Sequence, residues 1–445
     1  MHLWEDYHMK FRSIIIGSVS LLAVTVGAQA QSLTIATVNN GDMIRMQGLS
    51  DRFTEETGIA LEWVTLEENV LRQRVTTDIA TGGGQYDVMT IGAYETPIWA
   101  AQGWLAPLDD LDEDYNADDL IPAVREALSV DGVQYASPFY AESAMIMYRT
   151  DLFEAAGLEM PEIPTWEFIG EAARAINDPA NEVYGICLRG KAGWGENMAF
   201  ITALSNSMGG RWFDENWEPQ FDSSEWGEAL TYYVDLMTEA GPPGASSNGF
   251  NENLALFQQG RCGMWMDATV AASFVSNPED SQVADSVGYA LFPTNGEFDN
   301  HGNWLWVWSL AIPSSSQNVD EAKQFIEWAT SGSYLEMVAE EEGWANVPPG
   351  TRTSLYQNPQ YTEAAPFAEM TLGAIEAANT TNSSVQDVPY AGGQFVAIPE
   401  FQGIGTAVGQ IFSAALAGQT PVDQALQQAQ QVTRMEMERS GYYNQ

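Results

Sequence analysis

Between Leu33 and Leu108 the hydrophobic pattern switches back and forth between strand and helix, and this alternation restricts the fold more than any other feature. Leu33 to Val38 is a short apolar run, the pattern of a buried strand. Met43, Met46, Leu49 and Phe53 then mark one helix face, which Gly58 ends. Leu61 to Leu66 reads as a second strand, and Val70 to Ala80 as a helix stopped by Gly82-Gly83-Gly84. Tyr86-Asp87-Val88-Met89 leaves that turn as a third strand, and Ala93 to Gln102 follows as a helix with Ile98, Trp99 and Ala100 on its apolar side. This order predicts an α/β fold: a mostly parallel sheet with helices on both faces. In such sheets ligands sit beyond the carboxyl ends of the strands. Tyr94 and Glu95, just past the third strand, are therefore aimed at a cleft, unless the segment is an ordinary strand–helix unit.

The start of the chain gives an address. Met9-Lys10-Phe11-Arg12 is basic, Ile14 to Val26 is apolar, and Ala28-Gln29-Ala30 fits a cleavage site. Residues 1–30 read as a secretory signal peptide, with an apolar core too short to span a bilayer. Residues 1–8, with Glu5 and Asp6, do not fit a leader; an upstream start codon that is not used would account for them. No cysteine follows the cleavage site, so the expectation is a periplasmic protein without a lipid anchor. The roughly 415 residues after the leader exceed one small core and predict two lobes. The net charge of −44 repels nucleic acid and anionic lipid and argues against an anionic substrate. Fifteen tryptophans rule against an acidic disordered chain, so the acid excess is read as coating a folded surface.

Composition also removes chemistry. Beyond the leader there is one histidine, His301, through which any serine or cysteine triad would have to run. The sequence has no nucleophile elbow, zinc-protease helix, Cys-x-x-Cys pair or phosphate-binding loop. Gly193-Trp194-Gly195 begins like a dinucleotide fingerprint, but Met198 stands where the third glycine belongs. No cofactor or metal is expected, and Asp109/Asp110 and Asp118/Asp119 read as solvated faces. Cys187 and Cys262 lie in two apolar runs, both read as strands. An oxidising compartment permits a disulfide between them; buried free thiols are the alternative.

Further along, Val133 to Arg149 reads as two extended runs around Ser137-Pro138-Phe139-Tyr140, a crossing between lobes. Trp166 to Ile176 is a helix behind Thr165 as N-cap. Val183 to Leu188, a helix from Asn197, a helix from Trp226 to Glu239 and the Cys262 strand continue the second lobe. Val287 to Phe292 looks like a return crossing ending at Pro293. Trp304 to Ile312 and a helix from Asp320 to Glu340 rejoin the first lobe, and the tail from Val347 is helical, with Pro421 at a helix start. The expected division is residues 31–138 and 293–345 for the first lobe, and 139–292 and 346–445 for the second.

Several segments occur in the order found in one known family. They are Tyr86 to Leu111, Tyr140-Ala141-Glu142-Ser143, Met147 to Phe153, Pro164-Thr165-Trp166-Glu167, Gly263 to Asp267, Ala311-Ile312-Pro313 and Pro349 to Tyr356. Over nearly its whole mature length the chain resembles the extracellular solute-binding proteins (family 1) of carbohydrate ABC importers. Leu188 to Asn197 (LRGKAGWGEN), Gly210 to Trp217 and Tyr390 to Gly403 are similar to the sorbitol/mannitol-binding branch. The resemblance implies a two-lobed, type II-like periplasmic-binding fold with an acyclic polyol in the interlobe cleft. It implies no catalysis, lobe closure on the ligand, delivery to ABC permease subunits driven by an ATPase, and a monomer.

A polyol offers hydroxyls along its length and C–H edges between them. Carboxylates accept from hydroxyls, Asn, Arg and Lys complete the network, and Trp faces cover the carbon edges. The ligand-binding candidates are Asn39, Asn40, Tyr94, Glu95, Glu142, Lys191, Trp194, Glu196, Trp265, Asp267, Asn303, Trp304 and Arg352. Glu142, in the lobe crossing, and Asp267, at a strand end, are the leading acceptors. A turn with Gly41 is the alternative for Asn39 and Asn40, solvent exposure for Lys191, and core packing for Trp194, Trp265 and Trp304. A mono- or disaccharide would also suit stacked tryptophans. A secreted glycoside hydrolase would use two carboxylates, with Glu142 and either Asp267 or Glu196 cast in those roles.

Overall fold

The computed structural model describes residues 31–443; the expected signal peptide, residues 1–30, lies outside them. Strand β1 (Ser32–Val38) buries Leu33, Ile35, Ala36 and Val38 with Thr37 and sits between β2 (Ala60–Leu66) and β3 (Val88–Gly92), parallel to both. The pairing with β2 runs from Ser32 opposite Ala60 to Val38 opposite Leu66, so both strands end at the same edge. A small hairpin of β4 (Ser129–Val130) and β5 (Val133–Gln134) turns through Asp131 and Gly132, both with positive φ, as a two-residue hairpin loop requires. The chain then adds β6 (Ser137–Glu142) and β7 (Ala144–Arg149), followed by β8 (Tyr184–Cys187), β9 (Cys262–Ala268), β10 (Val287–Leu291) and β11 (Trp306–Ala311).

Two sheets result. The first has the order β2-β1-β3-β11-β6 and the second β10-β7-β9-β8. Both are mixed rather than mostly parallel: β11 runs antiparallel to β3 and β6, and β7 antiparallel to β9 and β10. Hydrophobic period marks a strand but not its direction. Direction depends on which edge the chain returns to after visiting the other lobe. The same fact moves the first crossing. Strand β6 pairs with β11 and so belongs to the first sheet, which puts the changeover at Ser143 rather than at Phe139. The strand ends are tied there, because Ser143 N donates to Thr269 Oγ1 (3.1 Å) and Thr269 N donates to Ser143 O (2.8 Å).

Helices cover both sheets. Thr165 caps Trp166–Ile176 by accepting from Phe168 N at 3.2 Å. Every residue of helix Asn197–Ser207 is buried, since Ser224–Ala240 and Phe401–Leu416 pack against it. The expected helix from Asp320 to Glu340 is two, Val319–Thr330 and Gly332–Glu342, broken where Ser331 is extended and caps the second by accepting from Tyr334 N. No described helix is long and apolar enough to cross a membrane.

Cys187 and Cys262 are joined by a disulfide that ties β8 to β9, with Cα atoms 5.8 Å apart. It closes a loop with a sequence separation of 75, for which chain-entropy arguments give about 4 kcal/mol. Replacing both cysteines by serine is expected to lower the unfolding free energy by about that amount. Urea titrations of oxidised wild type and double variant check it, and equal midpoints would show the bridge constrains nothing.

Candidate functional site

The edges where β1, β2 and β6 of the first sheet end face the ends of β8 and β9 of the second. Between them lies a cavity of about 220 Å³. The first lobe contributes Asn39 and Asn40 after β1, Glu67, Glu68 and Arg72 at the start of helix Glu68–Thr81, and Tyr140 and Glu142 of β6. Strand β11 adds Trp306 and Trp308. The second lobe answers with the loop after β8, carrying Arg189, Lys191, Trp194 and Glu196. Gly195 in that loop comes so close to the first lobe that a Cβ there would meet Glu68 Oε1 and the Arg72 guanidinium.

Two buried arginines organise the walls. Arg72 donates from Nη1 to Glu95 Oε1 and from Nη2 to Glu68 Oε1, both at 2.9 Å. Its guanidinium lies 4.0 Å from the Trp194 ring and 4.8 Å from those of Trp306 and Trp308. Each desolvated cation–π contact of this kind contributes up to about 2 kcal/mol. Gly92 makes room for the cage, since a Cβ there would strike the Trp306 ring. Arg189 donates from Nε to Asp267 Oδ2 (2.9 Å), from Nη2 to Asp267 Oδ1 (2.6 Å) and from Nη1 to Gly195 O (2.9 Å). Lys191 Nζ reaches across the cleft to Glu67 Oε1 at 2.5 Å.

Other polar groups face the cavity with less support. Glu142 is buried, and burial raises its carboxyl well above the usual range; Arg189 counters this in part, while Asp267 pushes the same way as burial. Burial, and next the Glu68 charge, lift Glu196 to about 7. Trp194 Nε1, Trp304 Nε1, Glu196 Oε2 and Gln394 Oε1 are buried without a hydrogen-bond partner among the described residues. Donors and acceptors converging on one small space in this way are what a many-hydroxyl solute requires.

The comparisons with known proteins agree with this geometry. Residues 40–334 match the family described as bacterial extracellular solute-binding protein. The chain belongs to that family. As a solute-binding protein it is 57% identical over 427 residues to a mannitol-binding protein of Pseudomonas aeruginosa, covering 96% of this chain and 98% of that one. An ABC transporter solute-binding protein of Agrobacterium vitis, crystallised with bound D-mannitol, is 69% identical with a TM-score of 0.92, over 93% of this chain and 99% of that one. A counterpart from Agrobacterium radiobacter in complex with ribitol is 26% identical with a TM-score of 0.81, over 91% and 98% of the two chains. These relatives are solute-binding proteins and not enzymes, and so is this chain.

Of the residues singled out in the sequence of this solute-binding protein, Asn39, Asn40, Glu142, Lys191, Trp194, Glu196 and Trp304 line the cavity. Asn40 fills both suggested roles: its Oδ1 caps the next helix at Met43 N, and its Nδ2 donates to Tyr140 Oη at 2.7 Å. Six candidates stand elsewhere. Tyr94 is behind Trp194, its hydroxyl donating to Ile398 O (3.0 Å) and accepting from Gln402 N (3.2 Å). Glu95 is turned back onto Arg72 and Gly92 N by the start of its own helix. Asp267 is occupied by Arg189, and Trp265 donates to Asp267 from behind at 3.1 Å, so neither meets the cavity. Asn303 lines a separate surface hollow with His301, facing away from its neighbour Trp304. Arg352 is 1% exposed and donates to the carbonyls of Tyr115, Asn116 and Thr330, a structural clamp. Arg72, Arg189 and Trp306 are the main residues the sequence reading missed. Trp304, Trp306 and Trp308 share a period of two that marks one face, whereas nothing in the spacing announces a buried arginine.

Asp267→Ala leaves the buried Arg189 charge with only Glu196, 3.7 Å away, so it is expected to cost about 3 kcal/mol of unfolding free energy; an unchanged urea midpoint would refute the pairing. Glu196 has a pH signature. The folded chain keeps its proton up to about 7 while the ordinary carboxyl loses it near 4.5, so this group lowers stability as pH rises through that window. Glu196→Gln is therefore expected to gain on wild type between those values and to show no such gain below them. Urea unfolding at pH 4 and pH 8 measures the difference, and an equal difference at both would exclude the assignment.

Proposed function

We propose that the protein captures an acyclic hexitol of the mannitol type between its lobes in the periplasm and hands it to an ABC permease. The reading is carried by one observation: a small interlobe cavity with mixed donors and acceptors, in a chain 69% identical to a protein crystallised with D-mannitol. Its volume of about 220 Å³ supports a small ligand. Pockets for drug-sized molecules begin near ~300 Å³, so an oligosaccharide would not fit this closed form.

The chemistry supports the same ligand. Each hydroxyl of a polyol donates once and accepts twice. Glu142, Glu196 and Gln394 offer acceptors, and Trp194 Nε1, Trp304 Nε1 and the asparagines after β1 offer donors. The tryptophan faces suit the C–H edges of an extended carbon chain. Closure brings both halves of this set together. Lys191–Glu67, Asn251 Nδ2 to Asn39 O (2.9 Å) and Asn69 Nδ2 to Ala192 O (3.2 Å) bridge the lobes in the closed form. A ligand touching both lobes favours that form.

A thermal-shift series with mannitol, sorbitol, ribitol, glucose and maltose tests the proposal. At a hundredfold excess over Kd, a ligand specific for the folded state is expected to raise Tm by about 3 °C. A rise with hexitols supports the reading. A rise confined to glucose or maltose overturns it.

A further inference from the structure

The charges around the cavity do not match. Three cations line it, Arg72, Arg189 and Lys191, and each is already held by a carboxylate. Arg72 has Glu68 and Glu95, Arg189 has Asp267, and Lys191 has Glu67. Three lining carboxylates are left over: Glu142, Glu196, and Glu252, whose carboxylate accepts from Gly249 N at the start of its own helix. Glu142, 5% exposed, faces the cavity with no hydrogen bond or ion pair among the described residues. Glu196, 3% exposed, lies 3.4 Å from Lys191 Nζ and 3.7 Å from Arg189 Nη1, yet its Oε2 accepts no hydrogen bond. The group that a ligand meets is therefore an acid without a counter-charge of its own, which burial keeps protonated until a cation faces it.

This asymmetry separates ligands that differ at a single group. A hydroxyl satisfies Glu142 by donating to it. A sugar acid would bury a further carboxylate beside Glu142 and Glu196 while both guanidinium groups are engaged elsewhere, which both repulsion and desolvation oppose. A protonated primary amine does the reverse. It donates as a hydroxyl does, forms a charge-assisted bond, and supplies the missing positive charge. The high ionisation range of Glu142 fits an acid without a counter-charge of its own.

We propose that the site selects on charge, admitting polyols with a hydroxyl or a protonated amine facing Glu142 and refusing polyol carboxylates. The proposal rests on the polyol reading above and extends its ligand class to amino-polyols. D-mannitol is symmetric end to end, so replacing either terminal hydroxyl gives the same compound.

Calorimetric titrations of the full-length mature protein at pH 7 with D-mannitol, 1-amino-1-deoxy-D-mannitol and D-mannonate provide the test. The amine is expected to bind within about tenfold of mannitol, and the carboxylate at least about a hundredfold more weakly. Glu142→Gln is expected to weaken the amine at least about tenfold more than the hexitol, because only the amine needs the charge. The wild-type series stands alone if that variant does not fold. Mannonate binding as tightly as mannitol, or mannitol binding with no detectable amine binding, overturns the charge rule. If mannitol fails and glucose binds, the polyol reading falls, and glucosamine against glucuronate then decides the charge rule by the same criterion. A protein that takes none of these compounds overturns both.

Discussion

One buried cation holds the two lobes to a common geometry. Arg72 rises from the first lobe after β2, and its charge cannot remain in a dry interior without partners. Glu68 comes from its own helix, Glu95 from the segment after β3, Trp306 and Trp308 from β11, and Trp194 from the opposite lobe. Four separate stretches of chain are thus positioned by a single guanidinium. Trp194 can complete the cage only when the lobes are together, so closing the cleft and finishing the wall are the same event. Arg189 plays the matching part in the second lobe, fixed by Asp267 and aligned by the Gly195 carbonyl.

The division between what the residue pattern announces and what it hides follows from this. Strands such as Ser32–Val38 and helices such as Trp166–Ile176 were legible because local period and capping specify them. The direction of β11 was not, since it is decided by a crossing some 150 residues of chain apart in origin, and no local pattern encodes that. Loop residues at strand ends were legible as a class: Asn39, Asn40, Lys191, Trp194 and Glu196 all reach the cavity. Depth was not legible. Asp267 and Glu142 look alike in sequence, as acids at strand ends in apolar surroundings. In the structure one grips an arginine and the other faces open space, because Arg189 is placed by a different strand.

The distribution of acids repays the same attention. Most of the −44 net charge is surface, where water and salt screen it. Four of the buried carboxylates have firm partners: Glu95 on Arg72 and Asp267 on Arg189 from other elements, Asp42 on Arg45 of its own helix, and Asp78 accepting from Gln85 N. Against that background two acids of the cavity stand apart: Glu142, with no partner among the described residues, and Glu196, with only the longer contacts to Lys191 and Arg189. They occur where the chain has arranged for a solute, not another side chain, to supply the donors.

The disulfide lies on the same path. Cys187 is two positions before Arg189, and Cys262 begins the strand that ends near Asp267. Locking the last residue of β8 to the first of β9 helps fix the register that brings Arg189 beside Asp267. Protein produced in a reducing cytoplasm would carry the same sequence and the same sheet, but with that register left to hydrogen bonds alone. The quality of the binding site is thereby coupled to the place where the chain was folded, and material from different hosts need not be equivalent even when it is equally pure.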